Sequence, residues 1–222
     1  MKLAFRNDIF CRIVDGRAII LDLATGRYAS PSPAASSILA EIEADRSEAI
    51  PDHADLRALI DRGLLVPRTG VGQSHGFARW PQPDQVYQGV SETRCGTSTI
   101  LLALARQIGA AVDLRRFRLS QVVERLRLHK GRIDGARDHH DLHIDRSVRA
   151  FSAADRICSI QDRCLPRSIA LVRALAAGGI CGNLVLGVRT YPFMAHAWVQ
   201  IAGSVVADDL DRVRDYSPIL FV

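Results

Sequence analysis

The sequence has no long hydrophobic run, no paired-cysteine motif and very little lysine. No apolar stretch approaches the length needed to span a bilayer, and the N-terminus MKLAFRNDIF carries charge where a signal peptide needs an apolar block. The five cysteines are scattered and include no CxxC pair, which argues against a disulfide framework or a thiolate zinc site. These absences predict a soluble cytoplasmic protein with reduced thiols and no membrane partner.

Positive charge is carried almost entirely by arginine. Of the 29 lysine and arginine residues, only Lys2 and Lys130 are lysine, and the net charge is +5. No basic stripe with interleaved aromatic residues is present, and residues 1–80 contain 10 basic and 10 acidic side chains. Because phosphate contacts need excess positive charge, we expect no nucleic-acid partner.

The first part of the chain has the pattern of strands followed by helices. IFCRIV and RAIILDL flank the dipeptide Asp15-Gly16, which indicates a hairpin, and GRYAS gives a third strand. In SPSPAASSILAEIEA, Ser32 is a suitable N-cap with Pro33 at the first helical position. A further helix is predicted for DHADLRALIDRG. We therefore expect a separate small binding domain over residues 1–68.

The rest of the chain has the pattern of helices followed by an antiparallel sheet. Residues 69–89 are rich in Gly and Pro and are expected to form a linker to a second domain over residues 90–222. Helical patterns run to about Ala177, except for a polar interruption at 130–145, which is predicted to be a loop. NLVLGVRT, AHAWVQIA, SVVAD and PILFV then have strand character. The predicted fold class is α+β.

Cys164 is the first candidate for chemistry because it begins the apolar helix CLPRSIALVRAL. The positive end of a helix dipole favours a thiolate over a thiol, and Arg163 and Arg167 should act in the same direction. Pro166 fits a first helical turn, where its missing N–H has no cost. The alternative is a buried structural cysteine.

A histidine and an aspartate complete a possible catalytic triad. His196 lies on a predicted strand, and a strand can hold an imidazole rigidly beside a thiolate. Asp208 and Asp209 follow the next hairpin, and one of them can orient the imidazole. A three-residue loop places Asp208 diagonal to His196, whereas a two-residue loop places Asp209 directly opposite it. A one-residue change of register reverses the faces, so the pattern leaves both aspartates open.

These motifs resemble the lasso-peptide maturation proteases known as B proteins. The matching stretches are CLPRSIALVRAL and FMAHAWVQIAGSVVADD, with 32 residues from Cys164 to His196 and 12 more to Asp208. The resemblance implies a C-terminal transglutaminase-like (papain-like) cysteine protease with Asp208, rather than Asp209, as the orienting acid. Gln200 stands where the family usually has Glu, and we expect little consequence because this position is outside the triad.

The N-terminal pattern resembles the PqqD-like peptide-recognition element, which is related to winged helices and is fused to some B proteins. The resemblance implies that the leader of a precursor peptide adds as a strand beside the third strand and that its side chains dock on a helix. The leader-binding residues would then be Gly26, Arg27, Tyr28 and Ala29 on the strand, with Leu56, Leu59 and Ile60 on the helix.

The resemblance also implies a reaction and a partner. Cys164 would attack the leader–core amide bond, and helix-start N–H groups, with help from Gln161, would bind the oxyanion. An asparagine-synthetase-like cyclase would then close the released core. No cofactor is expected on this chain: it has no GxxxxGK[ST] motif, so ATP is assigned to the cyclase.

Other interpretations remain open at this stage. The segment DHHDLHID places His139 and His143 four residues apart among acids, but a hydrated loop is favoured over a metal site. The same triad would also serve a transglutaminase-like amidase or acyltransferase, and the chain would alternatively be a non-catalytic peptide-binding scaffold.

Overall fold

The computed structural model describes residues 3–44, 54–67, 80, 82–89, 95–131, 140–157 and 163–222, and these form a mixed α+β fold. The strands are β1 (Leu3–Phe5), β2 (Ile9–Val14), β3 (Arg17–Asp22), β4 (Arg27–Ala29), β5 (Leu65–Pro67), β6 (Gln85–Val86), β7 (Asn183–Arg189), β8 (Met194–Ile201), β9 (Ser204–Val206) and β10 (Ser217–Phe221). The helices are α1 (Pro33–Glu43), α2 (Ala54–Asp61), α3 (Thr97–Arg116), α4 (Leu119–Lys130), α5 (His140–Ile157), α6 (Cys164–Ala177) and α7 (Leu210–Arg214).

The predicted hairpin at Asp15-Gly16 is confirmed. Val14 pairs with Arg17 across a two-residue turn, and Asp15 and Gly16 have φ values of 49° and 74°. Both central residues of this turn type need positive φ, which Asp and Gly tolerate better than other residues. The turn sets the register of the antiparallel sheet β2-β3-β4, in which β4 is an edge strand.

Helices α1 and α2 cover one face of this sheet. Ser32 caps α1 by accepting a hydrogen bond from the N–H of Ala35, and Pro33 occupies the first turn, as the sequence predicts. Ser36 on α1 accepts a hydrogen bond from the N–H of Ala18 on β3 at 3.1 Å. The apolar side chains of this face and of the two helices form an N-terminal core: Phe5, Ile9, Cys11, Ala18, Ile20, Ala35, Leu39, Ile42, Leu59 and Leu65.

The opposite face of the same sheet packs against the C-terminal part of the chain. Phe10, Ile19 and Leu21 belong to the large core that also holds the buried residues of α3 to α6 and of the C-terminal sheet. The N–H of Ser120 at the start of α4 donates to the carbonyl of Leu23 at 2.9 Å. The N-terminal sheet therefore lies between two cores and is buried on both sides.

The C-terminal sheet has the strand order β10-β7-β8-β9-β6. Helix α6 packs on β8 and is also flanked by α3 and α5. The predicted helices in this region and the strands β7 to β10 are confirmed. Within the described residues no helix combines the length and hydropathy needed to cross a membrane.

The structure corrects one prediction and adds strands that the sequence pattern does not predict, β1 and β6 among them. The polar segment 130–145 is not a loop throughout, because α5 begins at His140 and buries Ile144 and Phe151 on its apolar face. Part of the segment, 132–139, lies outside the described residues. Gln85–Val86, within the predicted linker, forms β6 and pairs in parallel with β9. The predicted boundaries at 68 and 90 remain a prediction.

Candidate active site

Cys164 lies at the N-terminal end of α6, where the sequence predicts it. Most of the residues that follow in α6 are apolar and bury the helix against β8, and the hydroxyl of Ser168 donates to the carbonyl of Ala197 at 2.9 Å. The Cys164 side chain is half-buried and packs at the edge of the large core. These contacts fix the position of α6 along β8 and place the thiol beside the strand that carries His196.

His196 is buried on β8 and interacts with both predicted partners. Its Nε2 lies 2.9 Å from Oδ2 of Asp208, and its ring lowers the pKa of the Cys164 thiol. Because Nε2 is engaged by the carboxylate, Nδ1 is the nitrogen left for the thiol. The rings of Trp198 and Tyr216 lie 6.1 and 5.3 Å from the imidazole, centroid to centroid, and restrict its orientation.

The choice between the two aspartates is resolved by a local bend. Ile201 pairs with Ser204 across a two-residue turn, a register that would place Asp209 opposite His196 if β9 continued. The strand ends at Val206 instead, because Ala207 adopts a left-handed conformation with φ 56°. This bend brings Asp208 to His196. Asp209 caps α7 by accepting hydrogen bonds from the N–H groups of the second and third residues after it.

The three side chains shift each other's pKa in a consistent way. Burial opposes ionisation of Cys164, but hydrogen bonds from His196 and from backbone N–H groups bring its pKa below the usual value. Burial also disfavours the charged imidazole, yet the hydrogen bonds and charges of Asp208 and Cys164 raise the pKa of His196 to about 9. Despite its burial, the hydrogen bond and charge of His196 lower the pKa of Asp208. The arrangement therefore favours a thiolate–imidazolium pair with an ionised carboxylate at neutral pH.

Arg167 has a position that the sequence reasoning did not anticipate. Its guanidinium donates to Asp155 on α5 at 2.6 Å and to the carbonyl of Ala207, and its charge lowers the pKa of Asp208. The side chain thus supports the bend that orients Asp208, in addition to any effect on Cys164. From the sequence, Arg167 is only a cation three residues after Cys164. Its contact with Ala207, 40 residues further along the chain, leaves no local sequence signal.

The predicted leader-binding residues fall into two groups. Gly26, with φ 68°, directly precedes the edge strand β4, and no strand within the described residues pairs with the outer edge of β4. On α2, Leu59 is buried in the N-terminal core, whereas Leu56 and Ile60 pack at its margin. Among the described residues, the strand edge thus has no strand partner and the helix margin is only partly buried, while Leu59 packs inside.

Two further predicted residues contribute no site geometry. Gln161 and His139 lie outside the described residues. His143 donates from Nε2 to the carbonyl of Ala174 at 3.1 Å, which links α5 to α6. Among the described residues there is no cluster of three or more His, Cys, Asp or Glu side chains able to hold a metal.

A cysteine at a helix N-terminus, a histidine on an adjacent strand and an aspartate after the next turn define a papain-like arrangement of side chains. Residues 104–221, more than half of the chain and including all three side chains, match the family model of the transglutaminase-like superfamily. The chain therefore belongs to this superfamily.

One characterised protein is similar to part of the chain. The microcin J25-processing protein McjB of Escherichia coli is 46% identical over 72 residues, which are 32% of this chain and 34% of McjB. The matched stretch spans about a third of that protein. No solved structure matches the chain significantly. The family match and this relative together confirm the resemblance to the lasso-peptide maturation proteins.

Proposed function

We propose that this chain is a cysteine protease that binds the leader of a lasso precursor peptide and cleaves the leader–core amide bond. The observation that carries the proposal is the series Cys164, His196 and Asp208, in which His196 is hydrogen-bonded to Asp208, the thiol pKa is lowered and the imidazole pKa is raised. A structural cysteine buried in a core would show the opposite shift, as Cys11 does, since burial raises its pKa.

The reaction follows from the protonation states of the pair. The Cys164 thiolate attacks the carbonyl carbon of the last leader residue and forms a tetrahedral oxyanion. His196 gives its proton to the core nitrogen, the C–N bond breaks, and the leader remains as a thioester on Cys164. Water then attacks the thioester carbonyl while His196 accepts its proton, and the leader acid departs. Asp208 holds the ring and stabilises its cationic form throughout.

The N-terminal part is assigned the recognition of the leader. In this proposal residues 1–68 are a PqqD-like, winged-helix-related domain, and the leader pairs with the unpaired edge of β4. Leu56 and Ile60 at the margin of α2 receive its side chains. Two observations support this assignment: β4 ends its sheet among the described residues, and the margin of α2 is only partly buried. Main-chain pairing then supplies affinity, and the side-chain contacts supply specificity.

The released core carries a new amine, and a separate asparagine-synthetase-like cyclase is the proposed consumer of that amine. ATP is assigned to this partner. The partner is inferred from the lasso-maturation resemblance, and McjB, by its name, processes microcin J25.

Intact mass spectrometry tests the proposal. The purified protein is mixed with the precursor peptide from the same gene cluster, with cyclase and ATP, in parallel for wild type and Cys164→Ala. We expect cleavage at one leader–core bond by wild type only. Transfer of the leader acyl group to an added amine instead of water would identify an acyltransferase. No cleavage by either protein, with the leader still bound, would identify a non-catalytic scaffold.

A further inference from the structure

Tyr28 connects the proposed recognition strand with the active site. It is the central residue of β4, and its partner in the register is Leu21, whose side chain enters the large core shared with the C-terminal part. Tyr28 packs against the same core, as does Cys164. Its side chain therefore points away from α1 and α2, on the opposite face of the sheet from the helix margin proposed to dock the leader.

The phenol of Tyr28 lies within electrostatic range of the nucleophile. Burial raises the pKa of Tyr28, and the negative charge of the Cys164 thiolate raises it further. The phenol is therefore neutral at every pH at which the thiolate pair exists. The neighbouring ring of Phe193 packs edge-on against Tyr28, with centroids 5.8 Å apart and planes at 60°.

Phe193 belongs to a short exposed run that leads directly to the histidine. Residues 191–195, the end of the β7–β8 connection and the first two residues of β8, are exposed, and His196, the next residue, is buried. Phe193 is 51% exposed although it is a large aromatic side chain. A large aromatic side chain that is exposed, packs against Tyr28 and lies three residues before His196 is placed to contact a ligand at the active site.

We propose that Tyr28 and Phe193 form an aromatic wall of the substrate cleft and select against an acidic side chain at the leader residue that directly precedes the scissile bond. This inference rests on the proposed function and adds a specificity-determining role for a residue of the recognition strand. In this arrangement a leader paired along β4 would run with its carboxyl-terminal end, the acyl part of the substrate, toward Cys164. Tyr28 is thus assigned to the cleft, not to leader affinity.

The chemistry of the wall explains the selection. An acidic side chain placed there would lose its hydration against two rings and would face the negative thiolate of Cys164. An uncharged side chain incurs neither penalty. Removal of one ring should widen the cleft and reduce discrimination, while main-chain pairing along β4 is retained because it needs no side chain.

The test compares variants by two separate measurements. Cleavage of the precursor is followed by mass spectrometry to give kcat/KM, and binding of a fluorescent leader peptide without the core is followed by anisotropy. For Tyr28→Ala and Phe193→Ala we expect kcat/KM to fall about tenfold or more, with the leader Kd within about twofold of wild type. A precursor with Glu just before the scissile bond should be discriminated against less strongly by Tyr28→Ala than by wild type.

Two variants serve as controls. Tyr191→Ala removes an exposed aromatic side chain from the same connection, where it lies against Arg17, and should leave kcat/KM within about twofold of wild type. Tyr28→Phe keeps the ring and should retain most of the activity.

The possible failures are distinguishable. Wild-type kcat/KM and selectivity in Tyr28→Ala, or a parallel loss of leader affinity, would overturn the inference and leave the proposed function standing. A wild-type protein that cleaves no precursor would overturn both. Because Phe193 is exposed, its variant tests the wall even if Tyr28→Ala fails to fold.

Discussion

At the scale of single residues, two adjacent aspartates have different tasks. Asp208 accepts a hydrogen bond from His196, and Asp209 caps α7 through its side chain. The two carboxylates have the same chemistry and differ in direction because Ala207 bends the chain just before them. The assignment of the orienting acid therefore depends on one backbone conformation.

Asp208→Asn should reduce kcat/KM by roughly 10²-fold or more and change its dependence on pH. In wild type, the pKa of His196 is raised to about 9, so the imidazolium persists below that pH and activity falls above it. The lowered pKa of Cys164 favours the thiolate, and activity should fall in acid as the thiolate is protonated. Without the carboxylate, the alkaline limb of a kcat/KM profile should move to lower pH.

Asp209→Asn is the matched control. Asparagine is as good an N-cap as aspartate, so α7 should be retained, and both activity and the alkaline limb should stay close to wild type. If Asp209→Asn lowers kcat/KM and Asp208→Asn does not, the orienting acid has been assigned to the wrong residue.

At the scale of elements, local chemistry in the sequence was sufficient for most of the fold. Asp15-Gly16 predicted the first hairpin, and Ser32-Pro33 predicted the start of α1, because turns and caps depend on adjacent residues. Cys164 and His196 were located from their positions at a helix start and on a strand.

The elements that sequence reasoning missed depend on distant partners. Strand β6 has only two residues and exists because β9 offers it an edge. Helix α5 starts among polar residues because Ile144 and Phe151 bury against the core further along. The bend at Ala207 is supported by the guanidinium of Arg167, far away in sequence. None of these partners is visible in a short window of sequence.

A glycine in β7 allows the rings behind His196 to pack. A Cβ at Gly187 would lie 2.5 Å from the Trp198 ring and 2.9 Å from Cβ of Tyr216, closer than real contacts allow. Gly187→Ala should therefore destabilise the protein by about 1–3 kcal/mol and lower activity, because those rings contact the imidazole. Urea unfolding followed by tryptophan fluorescence measures the first effect.

Gly109→Ala provides the comparison for that experiment. A Cβ at Gly109, inside α3, would meet no atom within 4 Å, and alanine favours a helix over glycine by about 1 kcal/mol. Its stability should equal or exceed that of wild type. If Gly187→Ala has the same free energy of unfolding as Gly109→Ala, the rings behind His196 are loosely packed.

At the scale of the whole molecule, the N-terminal sheet connects the proposed recognition edge with the candidate active site. Ile20 faces the N-terminal core, and its neighbour Leu21 faces the core that contains α6. Thr190 on the β7–β8 connection donates to Asp15 in the first hairpin at 2.5 Å, which adds a polar contact between the two parts. With both of its faces buried, the sheet cannot unfold without disturbing each core.

Ile20→Ala tests this coupling most sharply, because its side chain lies in the N-terminal core. Both tryptophans, Trp80 stacked on Phe221 and Trp198 on β8, report on the C-terminal part. If the chain unfolds as one cooperative unit, Ile20→Ala and Leu21→Ala should each lower the stability seen by tryptophan fluorescence, by about 2–4 kcal/mol. Far-UV circular dichroism should give the same midpoints. An early dichroism transition in Ile20→Ala with an unchanged fluorescence midpoint would mean that the two parts unfold independently.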